Sequence, residues 1–219
     1  MALRGLLVTV LLGATFVLFL GGKPRLDQPT PRILLYLVAA TYGATIVYAL
    51  SFRRWSRSRA FAAVQIAGDL GAWTVLAYLT GGASSGFSFL FGLSILGSAI
   101  LLGRLGAVLT AAASATLLAA LAAATTSGWI PPLSDQPRAF GVFVPGEVTF
   151  FVFVNLTSFT LVALLGGYLA ERLRLARGAL ERAERAAASV VRSMRDGILT
   201  LDRRGRIEGT NPAALQIIE

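Results

Sequence analysis

The chain has no cysteine and no histidine among its 219 residues, and only 14% of them are charged. Without cysteine there is no disulfide, no thiolate nucleophile and no sulfur-held metal. Without histidine, the commonest general base, the commonest metal ligand and any phospho-histidine chemistry are missing as well. Catalysis through cysteine or histidine is therefore excluded for this chain. With charge so scarce, 55% of the residues are hydrophobic, gathered into long runs between short charged loops. That is the pattern of a membrane protein. The net charge of +9 does not imply nucleic acid, because the arginines sit in those loops. Membrane topology accounts for them there.

Six runs reach the length of a membrane helix, about 20 residues each. They cover residues 4–21, 32–52, 60–80, 87–103, 105–127 and 147–170. The first follows Arg4 as a secretory signal would, but Leu20-Gly21-Gly22-Lys23 offers no A-x-A cleavage site, so an uncleaved helix is expected. Arg53, Arg54, Arg57 and Arg59 crowd the loop after the second run, Arg104 follows the fourth, and Arg172, Arg174 and Arg177 follow the sixth. The loop after the third, TGGASSG, is uncharged, and the long one after the fifth holds only Asp135, Arg138 and then Glu147. The basic junctions face the cytoplasm, which puts both termini inside. Lys23, Arg25 and Arg32, partly offset by Asp27, run against that trend.

Within the spans, polar and small residues stand out. Asp69 lies ten residues after Arg59, about 15 Å along a helix rising 1.5 Å per residue, near the bilayer centre. A carboxylate there costs on the order of 3 kcal/mol, so it should face the bundle or a partner rather than lipid. Gln65 precedes it by one turn on the same face. Asn155 and Ser158 on the sixth run are the expected internal donors to it. Two roles stay open for Asp69: a hydrogen-bonded packing pin, or a contact for a partner helix. Ala107, Ala111, Ala115, Ala119 and Ala123 recur every fourth residue and predict a packing face. So do Gly68 with Ala72, and Ala67 with Gly71. The turn Thr80, Gly81, Gly82 to Ser85 closes a tight hairpin, and could also position its two spans against a partner.

After Ala170 the periodicity changes. Leu173, Leu180, Ala187 and Met194 repeat every seven residues, with Ala176, Ala183 and Val190 three residues along. Two such seams form a heptad stripe, predicting a parallel homodimeric coiled coil with Gly178 as its weak point. A basic helix lying on anionic lipid is the alternative. Then GILTLD and RIEGT alternate as strands around a turn at Asp202-Arg203-Arg204-Gly205. Asn211-Pro212 opens a helix, with Asn as its cap and Pro in its first position. A segment this short cannot bury a core of its own.

Two stretches carry a resemblance. Asp196-Gly197-Ile198, then Asp202, Gly205 and Ile207, then Asn211, Ala213 and Ala214 resemble the opening of a PAS domain. Gln65, Asp69, Leu79-Thr80-Gly81-Gly82, Ser85-Gly86-Phe87-Ser88 and Leu102-Gly103-Arg104-Leu105-Gly106 resemble the sensing domain of PilS-type histidine kinases, with Gly86 where those carry proline. The resemblance implies an all-α membrane protein. A six-transmembrane-helix bundle over 1–170 would lead into a cytoplasmic coiled-coil linker helix over 171–195 and the α/β start of a PAS domain over 196–219. It implies the input module of a two-component sensor in the bacterial inner membrane, monitoring the transmembrane helix of the major pilin. Pilin transcription would be controlled through a response regulator. The phospho-accepting histidine and the ATP- and magnesium-binding kinase domain are expected beyond Glu219, and no cofactor is expected before it. A PAS-coupled cyclic-dinucleotide enzyme is the alternative output. A small transporter is a third reading, opposed by the stalk and by the lack of a broken helix or inverted repeat.

Overall fold

A computed structural model describes residues 13, 28–55, 58–131, 133–135, 145–193, 196–202 and 204–218. The first predicted span apart from residue 13, the charges at Lys23, Arg25 and Arg138, and Met194 of the heptad seam lie outside the described residues. Five long helices match the remaining runs: α1 (Pro29–Trp55), α2 (Arg59–Thr80), α3 (Phe89–Leu102), α4 (Arg104–Thr126) and α5 (Pro145–Ser193). α1, α2, α4 and α5 each hold a stretch long and apolar enough to cross a membrane, while α3 with the turn before it is shorter. A two-stranded antiparallel sheet, β1 (Leu199–Leu201) and β2 (Ile207–Thr210), precedes α6 (Pro212–Ile218). The chain divides into two compact units, Met1–Ala170 and Glu171–Glu219.

The first unit is built around α2, α3 and α4, whose buried core includes Leu76, Leu90, Phe91, Ile95 and Leu118. α5 packs on α3 through a tilted ring pair, Phe91 and Phe159, with centroids 5.7 Å apart. Further along, a Cβ at Gly166 would stand 3.2 Å from Leu96 and one at Gly167 3.2 Å from Arg104, so the two glycines let the backbones close up. α3 turns into α4 within one residue. Gly103 has φ +81°, and a Cβ at Gly106 would lie 2.3 Å from that of Leu102. The glycines of Leu102-Gly103-Arg104-Leu105-Gly106 are thus explained by a left-handed turn and a helix crossing with no room for a side chain.

The alanine stripe of the fifth run is only partly a packing face. Ala107 and Ala111 are buried, Ala115 and Ala119 half-buried, and Ala123 exposed. The face that α4 buries runs instead through Ala107, Thr110, Ser114, Leu118 and Leu121. A four-residue step turns about 400°, 40° past a full turn, so four steps carry the stripe about 160° around the helix.

One end of this unit is tied together by loops. Asp135 accepts from the Thr30 amide at 3.0 Å and from its hydroxyl at 2.8 Å, capping the start of α1 from the α4–α5 connection. A carboxylate suits that position, where free amides and the helix dipole favour negative charge. The Tyr78 hydroxyl donates to the Pro131 carbonyl at 2.7 Å, joining the end of α2 to the same connection. Arg54, Arg59 and Arg104 stand at the other ends of α1, α2 and α4.

Candidate functional site

Asp69 is the eleventh of the 22 residues of α2, and it is partly exposed. It lines a cleft of about 250 Å³ between α1 and α2. Half of the lining is small, Ala40, Ala44, Gly68, Gly71 and Ala72, and Leu37, Thr41, Tyr48 and Val75 complete it beside Asp69. A Cβ on Gly68 would meet the Tyr48 hydroxyl at 2.9 Å, so this glycine lets the phenol lie against α2 beside Asp69. The Tyr48 ring is held edge-on by Phe61, with centroids 5.9 Å apart. A Cβ on Gly71 would meet nothing within 4 Å, so the cleft is open there. Gln65, one turn earlier, has its Nε2 buried with no hydrogen-bond partner in the protein.

The expected donors on the sixth span are not brought to Asp69. Asn155 Nδ2 donates to the Phe151 carbonyl at 2.9 Å, and Ser158 Oγ to the Val154 carbonyl at 2.8 Å. Each bonds its own helix one turn back, and neither lines the cleft. Mid-helix Asn and Ser side chains have this local alternative, which sequence spacing does not reveal.

The turn after α2 is more than a short link. Residues Gly82–Ser84 and Gly86–Ser88 form two 3-10 turns. Gly82, Ala83, Ser85 and Ser88 are buried, so the turn folds inward onto the bundle. Gly81 and Gly82 have φ of +128° and +61°. The Thr80 and Ser85 hydroxyls bond each other, while Ser85 Oγ accepts from the Phe87 amide and its carbonyl accepts from the Ser88 hydroxyl. A buried segment of this kind needs partners for its backbone groups, and the hydroxyls bond the Phe87 amide and the Gly81 and Ser85 carbonyls alongside the backbone bonds of the two turns.

The sequence reading missed a buried hydroxyl ladder. Trp73 Nε1 donates to Ser94 Oγ at 3.0 Å, joining α2 to α3. Thr110 Oγ1 donates to Ser98 Oγ at 2.8 Å, joining α3 to α4, and Ser114 Oγ returns to the Thr110 carbonyl. Its signal was present in the pairs Ser94/Ser98 and Thr110/Ser114, each one turn apart within apolar helices. Such bonds contribute about 0.6 kcal/mol each in membrane proteins.

In the second unit, Leu173, Ala176, Leu180, Ala183 and Val190 are all exposed on the single chain. The side chain of Ala187 is outside the described set. Gly178 does not interrupt the helix, and its carbonyl accepts from Arg182 Nε at 2.9 Å. The signature residues at the sheet are structural. Asp202 Oδ1 accepts from the amides of Arg204 and Arg206 at 2.8 and 2.9 Å, and Gly205 takes the left-handed position of the turn with φ +77°. Asp196 and Gly197 are exposed, but the Asp196 carbonyl accepts from Asn211 Nδ2 at 2.9 Å. Asn211 itself is buried and caps α6 through the Ala214 amide at 2.9 Å.

Among the described residues no three carboxylate, histidine or cysteine side chains gather as metal ligands would. No curated protein and no solved structure matches the chain. A family model described as the PilS-like transmembrane domain does match, over residues 2–180. With most of its length matched, and with helices long and apolar enough to cross a membrane, this membrane protein belongs to the PilS-like transmembrane domain family.

Proposed function

We propose that the chain is the input module of an inner-membrane sensor kinase. It takes the transmembrane helix of a pilin and passes the result along a dimeric stalk to a PAS domain. The observation that carries this reading is the Asp69 cleft. Within a family of PilS-like membrane domains, a partly exposed carboxylate sits midway along a span, in a notch walled by glycine and alanine. Polar groups inside a membrane are costly and mark functional positions. Small residues let a second helix approach closely, which is how helices associate in lipid. A cytoplasmic position for both termini is part of this reading, and it is supported by Arg54, Arg59 and Arg104 at the ends of α1, α2 and α4, since basic residues favour the inner side. Catalysis and nucleotide binding belong to a histidine-bearing kinase domain acting on a response regulator, and this chain supplies recognition alone.

Gly71→Leu tests this directly, because its side chain enters the open cleft without meeting another residue of the chain within reach of Cβ. In bacterial inner membranes it should keep the wild-type membrane level and lose copurification of the pilin. Asp69→Asn should weaken copurification while leaving the level unchanged. Full pilin recovery by both variants would refute the cleft as the docking site.

A further inference from the structure

Asn211 does more than cap a helix. Its side chain is 2% exposed, and all four of its hydrogen-bonding positions are used. Oδ1 accepts from the Ile198 and Ala214 amides, both at 2.9 Å. Nδ2 donates to the Asp196 carbonyl at 2.9 Å and to the Val191 carbonyl at 3.3 Å. Two donors on one side and two carbonyls on the other fix the orientation of the amide. Its backbone adds a bond to the Ile198 carbonyl at 3.2 Å. One residue therefore meets the last turn of α5, the entry to β1 and the first turn of α6.

Val191 is within the last four residues of α5, where carbonyls have no partner inside the helix. We propose that the Asn211 amide is a coupling latch. Its oxygen holds β1 to α6, while its nitrogen separately fastens the C-terminal end of the stalk helix to that pair. A displacement of the stalk then reaches the sheet through this side chain. The signalling role rests on the function proposed above, but the latch is tested without pilin.

Asn211→Ser separates the two halves. A serine hydroxyl still caps α6 through the Ala214 amide, but it is too short and lacks the paired amide hydrogens to hold Val191 and Asp196. Asn211→Asp is the second variant. It keeps an acceptor for Ile198 and Ala214 and turns a carboxylate toward the negative end of the α5 dipole. Asn211→Ala loses both halves. Amide hydrogen exchange on the full chain in detergent reads each part. In the Ser and Asp variants, exchange in the last turn of α5 should rise about fivefold, the equivalent of one ordinary hydrogen bond, with the Ala214 amide still protected. In the Ala variant both should rise. Unchanged exchange at the end of α5 in Ser and Asp would overturn the latch. So would equal loss at both places in all three variants, which would make Asn211 a plain structural cap.

Discussion

Two glycines with the same side chain do opposite things. Gly106 sits where a Cβ would overlap that of Leu102 at 2.3 Å, while a Cβ on Gly178 would meet nothing within 4 Å. Gly106→Ala should destabilise the bundle by about 1–3 kcal/mol, the usual cost of overpacking. Gly178→Ala should stabilise its helix by up to ~1 kcal/mol, since glycine is the poorer helix former. Denaturant titration of the helical signal in detergent would show the opposite signs. At this scale the sequence was only half legible. Asp69 and Gln65 stood out because polar residues are rare in apolar runs, and Asn211 because its position before Pro212 marks a cap. The local bonds of Asn155 and Ser158 depend on rotamers, and the Thr110–Ser98 bond on which helices meet. Neither is written in residue spacing.

Helices were read closely wherever hydrophobic runs were long. α2, expected over 60–80, spans Arg59–Thr80, and α4, expected over 105–127, spans Arg104–Thr126. The alanine stripe misled because a spacing of four drifts off a helix that repeats every 3.6 residues. The turn at Thr80–Ser85 was legible as a tight hairpin, but its inward fold was not, since that depends on a bundle wall that no local pattern describes. Along the second unit, Leu173, Leu180 and Val190 are each at least half exposed on the single chain. The Arg185–Glu181 pair at 3.0 Å is solvated and contributes little to holding the helix. A seam of that kind calls for a partner helix. In membranes, cysteine at Leu180 should crosslink to its twin far more efficiently than cysteine at Arg182. Similar yields at both would remove the dimeric stalk.

At the scale of the whole molecule, the loop ties and the basic residues make a sidedness prediction. Thr30–Asp135 and Tyr78–Pro131 gather one end of the bundle, and Arg54, Arg59 and Arg104 stand at the opposite helix ends. The absence of native cysteine gives a clean background for labelling. A cysteine at Ser134 should react with a membrane-impermeant maleimide in intact cells, and one at Ser58 only after the membrane is opened. The reverse pattern would invert the topology and put the stalk on the wrong side for the cytoplasmic output proposed above.

Docking of a pilin helix in the α1–α2 cleft, as proposed above, can be tested by site-specific photocrosslinking in living cells. Val75 lines the cleft and is 37% exposed, while Leu161 on α5 is 61% exposed and lies outside it. A photoreactive side chain at Val75 should yield an adduct with the pilin, and one at Leu161 should yield little. Equal yields, or an adduct from Leu161 alone, would contradict the account.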